Sequence, residues 1–137
     1  MARARIDSQD LPISWQYQCP VEACLDVVGG KWKGVILFHL LAGTQRFGQL
    51  RRMLSSVTPR VLSQQLRELE ADGLIDRKDF HTVPPRVDYS LTPLGATLEP
   101  LLRLMRAWGT AHTDAILANK LAARQVTDGD AAAIPES

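Results

Sequence analysis

Two thiols, Cys19 and Cys24, and three imidazoles, His39, His81 and His112, are the side chains of this 137-residue chain with the widest chemical reach. Thiolates bind zinc, form disulfides and attack electrophiles, while imidazoles ligate metals and move protons. Zinc takes four tetrahedral ligands, and the segment YQCPVEACLDVVGGKW around the cysteines supplies two. A disulfide fits no better. On a helix, five residues turn the chain by about 500°, which sets the thiols roughly 140° apart around the axis and about 7.5 Å apart along it. Nucleophilic catalysis needs a base beside the nucleophile, and no glycine-rich elbow surrounds any serine here. The reading is therefore of a protein that is not an enzyme, with no catalytic residue, no metal and no cofactor.

The cysteines separate by position. Cys24 shares an apolar stripe with Val21, Leu25 and Val28 and reads as a small packing residue. Cys19 stands just before Pro20 at a helix start, where unpaired amides and the helix dipole favour an anion. On the residues alone it is either a reactive thiol or an inert cap.

The elements around these residues are mostly helical. Pro20 to Val28 closes at Gly29-Gly30, Trp32 to Leu41 is apolar nearly all round, and FGQLRRML follows from Phe47 to Leu54. His39, inside the second helix, reads as a core residue. Thr58 and Pro59 open PRVLSQQLRELEADG as cap and first residue, and Gly73 ends it. Leu62, Leu66 and Leu69 form its inner stripe. At about 100° per residue, Arg60, Gln64 and Arg67 fall on the opposite side with Ser63 beside them. LIDRKDF and RVDYSLT then alternate as a hairpin around HTVPPR, whose prolines stiffen the tip. A last helix opens at Thr92-Pro93, with Pro100 and Gly109 expected to kink and weaken it.

With 45% hydrophobic residues the chain suits one core, over residues 16–124, with a flexible arm at 1–15 and a disordered tail at 125–137. Its longest apolar run is about ten residues, half a membrane span, and the start of the chain lacks a signal-peptide pattern, so a cytoplasmic protein is expected. The net charge of +1 hides an asymmetry: Arg46 to Arg86 holds eight basic residues against five acidic, whereas Val87 to Ser137 holds four against six. An excess of positive charge in the middle points to an anionic partner.

Helix, short turn, capped helix and basic hairpin describe a winged helix-turn-helix, mainly α with a small β-hairpin (α+β). Arginine reads guanine edges and glutamine reads adenine, which gives Arg60, Ser63, Gln64 and Arg67 a place in a major groove of double-stranded DNA. Arg51, Arg52, Lys78 and the hydroxyls of Ser55, Ser56 and Thr58 suit phosphates. Pro84 and Pro85 would hold Arg86 against the adjacent minor groove. The apolar run Leu94, Leu98, Leu101, Leu102, Met105 and Trp108 exceeds what so small a core needs, and it predicts a homodimer.

The strings C-P-x-E, GGKW, FGQLRRML, TPRVLSQQLRELEADGLIDR and PPRVDYSLTPLG, in this order between Cys19 and Trp108, resemble the HxlR-type winged helix-turn-helix transcriptional regulators, relatives of the MarR group. The resemblance implies a homodimer built by the first helix, through Val21 and Leu25, and the last. It also implies a repressor on a pseudo-palindromic operator and a redox- or electrophile-sensing role for Cys19. Control by a non-covalent small-molecule effector, or a protein-interaction module that never meets DNA, stays open at this point.

Overall fold

A computed structural model describes residues 10–12 and 16–133, with side chains to residue 129. Most of the arm expected at 1–15 and the last four residues of the expected tail lie outside the described residues. The chain divides into two compact units, the first ending at Thr97 and the second beginning at Leu98.

The first unit contains α1 (Pro20–Val28), α2 (Lys33–Leu40), β1 (Gln45–Arg46), α3 (Phe47–Met53), α4 (Pro59–Ala71), β2 (Ile75–Asp79), β3 (Val87–Leu91) and α5 (Pro93–Ala96). Its core follows the apolar stripes. Ile36, Leu37 and Leu40 from α2, Leu50 from α3, and Leu62, Leu66 and Leu69 from α4 are buried with Leu74, Ile75 and Tyr89. Each such leucine contributes about 1.5–3 kcal/mol on leaving water. That burial fixes the rotation of α4 about its axis and so decides which of its residues face outward.

Caps set the helix ends. The Thr58 hydroxyl accepts from the Val61 amide at 3.2 Å, satisfying an N–H the helix leaves free, and Gly73 ends the segment at φ +78°. Thr92 repeats the device for α5, accepting from the Gly95 amide at 3.0 Å while donating to the Gly73 carbonyl at 2.6 Å. One hydroxyl thereby ties the end of the wing to the end of α4.

The sheet has three strands rather than the two of a simple hairpin, in the order β1-β3-β2, all antiparallel. Arg77 and Gln45 both lie opposite Tyr89, and Arg46 lies opposite Asp88. β1, two residues long, brings the start of α3 against the wing.

α5 ends at Ala96, and the second unit is a single helix, α6 (Glu99–Ala133). Two expectations change here. Pro100 is the second residue of α6, where its missing N–H has no helical partner to lose, so it starts a helix instead of kinking one. The helix also runs through residues 125–133, where a disordered tail is expected from composition; no proline interrupts it before Pro135, and its last three residues are alanine. Among the described residues no helix is long and apolar enough to cross a membrane.

Gly95 sits where two separate backbone segments of the first unit approach closely. A Cβ there would meet the Leu74 carbonyl oxygen at 2.1 Å, whereas a Cβ at Gly129 meets nothing within 4 Å. Gly95→Ala is expected to cost about 2 kcal/mol or more, while Gly129→Ala costs nothing and gains up to about 1 kcal/mol in helix propensity. Thermal unfolding followed by circular dichroism checks both.

Candidate nucleic-acid interface

α3, the turn at 54–58 and α4 form a helix-turn-helix, and burial of Leu62, Leu66 and Leu69 turns Arg60, Gln64 and Arg67 to solvent. Ser63 is half-buried, facing the crevice between α4 and the wing. Gln64 Nε2 donates to Glu68 Oε1 at 3.3 Å, and the other Glu68 oxygen takes Lys33 of α2 at 3.1 Å. The Lys33 ammonium, with help from Gln64, holds the Glu68 carboxyl below its ordinary value. Gln64 must exchange this contact for a base edge if it is to read one.

Arg51 and Arg52 of α3 and Ser55 just after it line one depression with Gly48, and Ser56 and Thr58 are exposed on the same turn as Ser55.

The wing differs from expectation in one respect. Arg86 does not extend from the tip: it forks onto Asp88 through Nε and Nη2 at 3.3 and 3.2 Å, and its guanidinium lies 4.4 Å from the centroid of the Phe80 ring. Lys78 Nζ stands over the same ring at 4.8 Å. The tip is instead Val83, 99% exposed, with Pro84 and Pro85 beside it. Bonds from Thr82 Oγ1 to the Pro84 carbonyl at 2.9 Å and from the His81 amide to Asp79 at 2.8 Å brace the loop.

Three further polar residues join this face without having been picked out in the sequence. Arg46, Gln49 and Arg77 line a groove of about 470 Å³ together with Arg52 and Arg86. Alternation from the buried Ile75 would turn Arg77 inward, so the sequence carries no signal for its exposure, and pairing of β1 with β3 sets Arg46 in the same lining.

The second helix of this helix-turn-helix is capped, polar outward and flanked by a wing that carries Arg77, Lys78 and Arg86. The HxlR-like helix-turn-helix family profile matches residues 27–116. This chain belongs to the HxlR-like helix-turn-helix family. Like other HxlR-like proteins it is a transcriptional regulator with a DNA-binding fold. It is 52% identical over 98 residues to the HTH-type transcriptional regulator YybR of Bacillus subtilis, covering 72% of this chain and 78% of YybR. Among solved structures, the redox regulator HypR in its reduced form superposes with a TM-score of 0.69 at 50% identity, over 73% of this chain and 99% of HypR, and HypR has also been solved oxidised. Reduced YodB from B. subtilis gives 0.59 at 29% identity, over 68% of this chain and 92% of YodB, which has been solved after diamide treatment as well.

The cysteines sit apart from this face along the sequence. Both thiols are free, Cys19 exposed and Cys24 half-buried. Glu22 Oε2 accepts from the Gln18 amide at 2.6 Å and the Cys19 amide at 3.3 Å, so a carboxylate already meets the free amides at the start of α1. Tyr17 donates to Asp26 at 2.5 Å, and that carboxylate holds the phenol above its ordinary pKa. Two acidic residues thus tack the segment bearing Cys19 onto α1.

Of the residues expected at a dimer interface, Val21 and Leu25 on α1 are 60% and 58% exposed, as are Leu94 at 52%, Met105 at 46% and Trp108 at 60%. Leu98 and Leu101 are half-buried. Leu102 is 2% exposed, whereas Leu104, outside the expected set, is 68% exposed.

Proposed function

We propose that the protein is a homodimeric repressor that binds a pseudo-palindromic DNA operator and whose affinity changes when an oxidant or electrophile modifies Cys19. The observation that carries the DNA reading is the outward face of α4, where Arg60, Gln64 and Arg67 stand clear of the core at the start of a capped helix. In a helix-turn-helix the early residues of the second helix meet base edges, and two copies related by two-fold symmetry double the length of sequence read. Such a regulator works where the chromosome is, in the cytoplasm. The reading assigns it no catalysis and no cofactor.

The exposed position of Cys19 supports the sensing reading, as does likeness to HypR, a redox regulator solved in both oxidation states. A quinone would add to the Cys19 thiolate with formation of one C–S bond and transfer of the thiol proton to the reduced ring, needing no further oxidant. Diamide would join Cys19 to a second thiol as a disulfide and leave as the hydrazine.

Gel shift of the protein on random and on selected operator duplexes at low salt tests the DNA reading, since phosphate contacts show there first. Cys19→Ser is expected to bind DNA as wild type does and to lose all response to diamide and quinone. An undiminished response in that variant would remove Cys19 from the mechanism.

A further inference from the structure

We infer that the groove between the start of α3 and the wing seats one phosphodiester of the DNA backbone, with Arg46 and Arg77 as its principal ligands. The inference rests on the DNA-binding reading and names a site that reading lacks. Four arginines, Arg46, Arg52, Arg77 and Arg86, are among the residues that line a groove of about 470 Å³, and no aspartate or glutamate is among them. They come from three separated parts of the chain, which β1-β3-β2 pairing draws together.

The four are not equivalent. Arg86 is forked onto Asp88 and stacked on Phe80, and Arg77 has Asp79 at 3.7 Å, so each has a carboxylate behind it that lies outside the groove. Arg52 spends Nε on the Gly48 carbonyl at 3.2 Å, and neither it nor Arg46 has a carboxylate within 4 Å among the described residues. With Arg77 and Arg86 balanced by their carboxylates, Arg46 and Arg52 leave the groove a positive excess that an entering anion would offset. A phosphodiester carries the single negative charge and the unesterified oxygens that guanidinium groups bind in a fork. The place is right for DNA, because Ser63 of α4 lines the same groove as Arg46 and Arg77. A backbone strand in it would run beside the major groove that α4 enters. The groove also gives Arg86 its role. Held back from the tip, Arg86 supports a phosphate, and the tip residue facing a minor groove becomes Val83.

The test is fluorescence anisotropy of a labelled 30-base-pair duplex titrated with wild type, Arg46→Gln, Arg77→Gln and the double variant across a range of salt. The double variant is expected to bind about tenfold or more weakly on every sequence and to lose about one from the slope of log affinity against log salt. Arg46→Lys with Arg77→Lys is expected to recover most of the slope, because charge drives counterion release. Arg124→Gln on α6 serves as the control and is expected to leave the slope as it is. The Arg46 side chain takes no part in capping α3, whose cap bond is its backbone amide to Gln49, so these variants are expected to keep the wild-type melting temperature. Wild type that binds no duplex at low salt sinks the DNA reading itself. Wild type that binds, with a slope unchanged in the double variant, overturns the groove alone. Inorganic pyrophosphate, followed by arginine side-chain resonances, supplies the remaining arm: saturation of these arginines by pyrophosphate without any effect of the variants on DNA would make the groove a site for a free anion and overturn the assignment.

Discussion

Replacing Arg60 and Gln64 together with alanine is expected to weaken binding to a selected operator by a factor of a hundred or more, while binding to random duplex falls by less than tenfold. Both side chains are exposed in the first two turns of α4, the part of a helix-turn-helix that meets base edges. A well-placed bidentate contact is worth about 1–3 kcal/mol of discrimination, so losing two removes roughly 3 kcal/mol or more. Gln64 is neutral and Arg60 carries one charge, so the salt slope changes by at most about one. The asymmetry between specific and random DNA is the diagnostic. Equal losses on both would make these residues phosphate contacts, and no loss on either would leave α4 a solvated surface helix. The Thr58 cap and the Leu62–Leu66–Leu69 stripe are untouched, so the variant is expected to melt where wild type melts.

α4 was the most legible part of the chain because its signals are local and agree. Thr58, Pro59 and Gly73 mark its ends, and three leucines at spacings of four and three mark its inner face. The Thr92-Pro93 start of α5 reads out for the same reason. Pro100 misleads because the sequence shows a proline amid apolar periodicity without showing that the preceding turn has already ended at Ala96. Alternation cannot reveal β1, since two residues have no period, and without β1 nothing in the sequence brings Arg46 to Arg77. The arginine groove is a product of tertiary pairing. Arg86 is a subtler case: just before β3, it stands two residues ahead of Asp88 in extended chain and so shares a face with it, and that local pairing wins over extension from the tip. For the thiols the local argument places one at the cap of α1 and the other on its inward side, and their exposures differ in that order. It misses Glu22, three residues on, which reaches back to the same cap.

Leu104→Asp combined with Trp108→Asp is expected to convert the protein from a dimer to single chains and to lower operator affinity by about a hundredfold or more. On α6, Leu101, Leu104 and Trp108 follow at spacings of three and four, a single helical face, with Leu104 and Trp108 among the most exposed large apolar side chains of the described residues. Burying each would contribute about 1.5–3 kcal/mol, and at a two-fold interface each counts twice. Two aspartates reverse the sign by placing four carboxylates where apolar contact is expected. The resulting monomer holds one half-site at a time, and the advantage of linking two binding events, on the order of a hundredfold or more, disappears. Because both side chains are exposed in the single chain, the far-ultraviolet circular dichroism is expected to stay the same. Sedimentation at about 10 µM gives the deciding result: one-chain mass for the variant and two-chain mass for wild type. A variant that still sediments as a dimer moves the interface off this face of α6, and a wild type that sediments as a monomer removes the two-fold model altogether. Random-duplex binding at low salt survives in the monomer, which separates this loss from that of the Arg60 and Gln64 variant, where the dimer persists and the reading of bases fails.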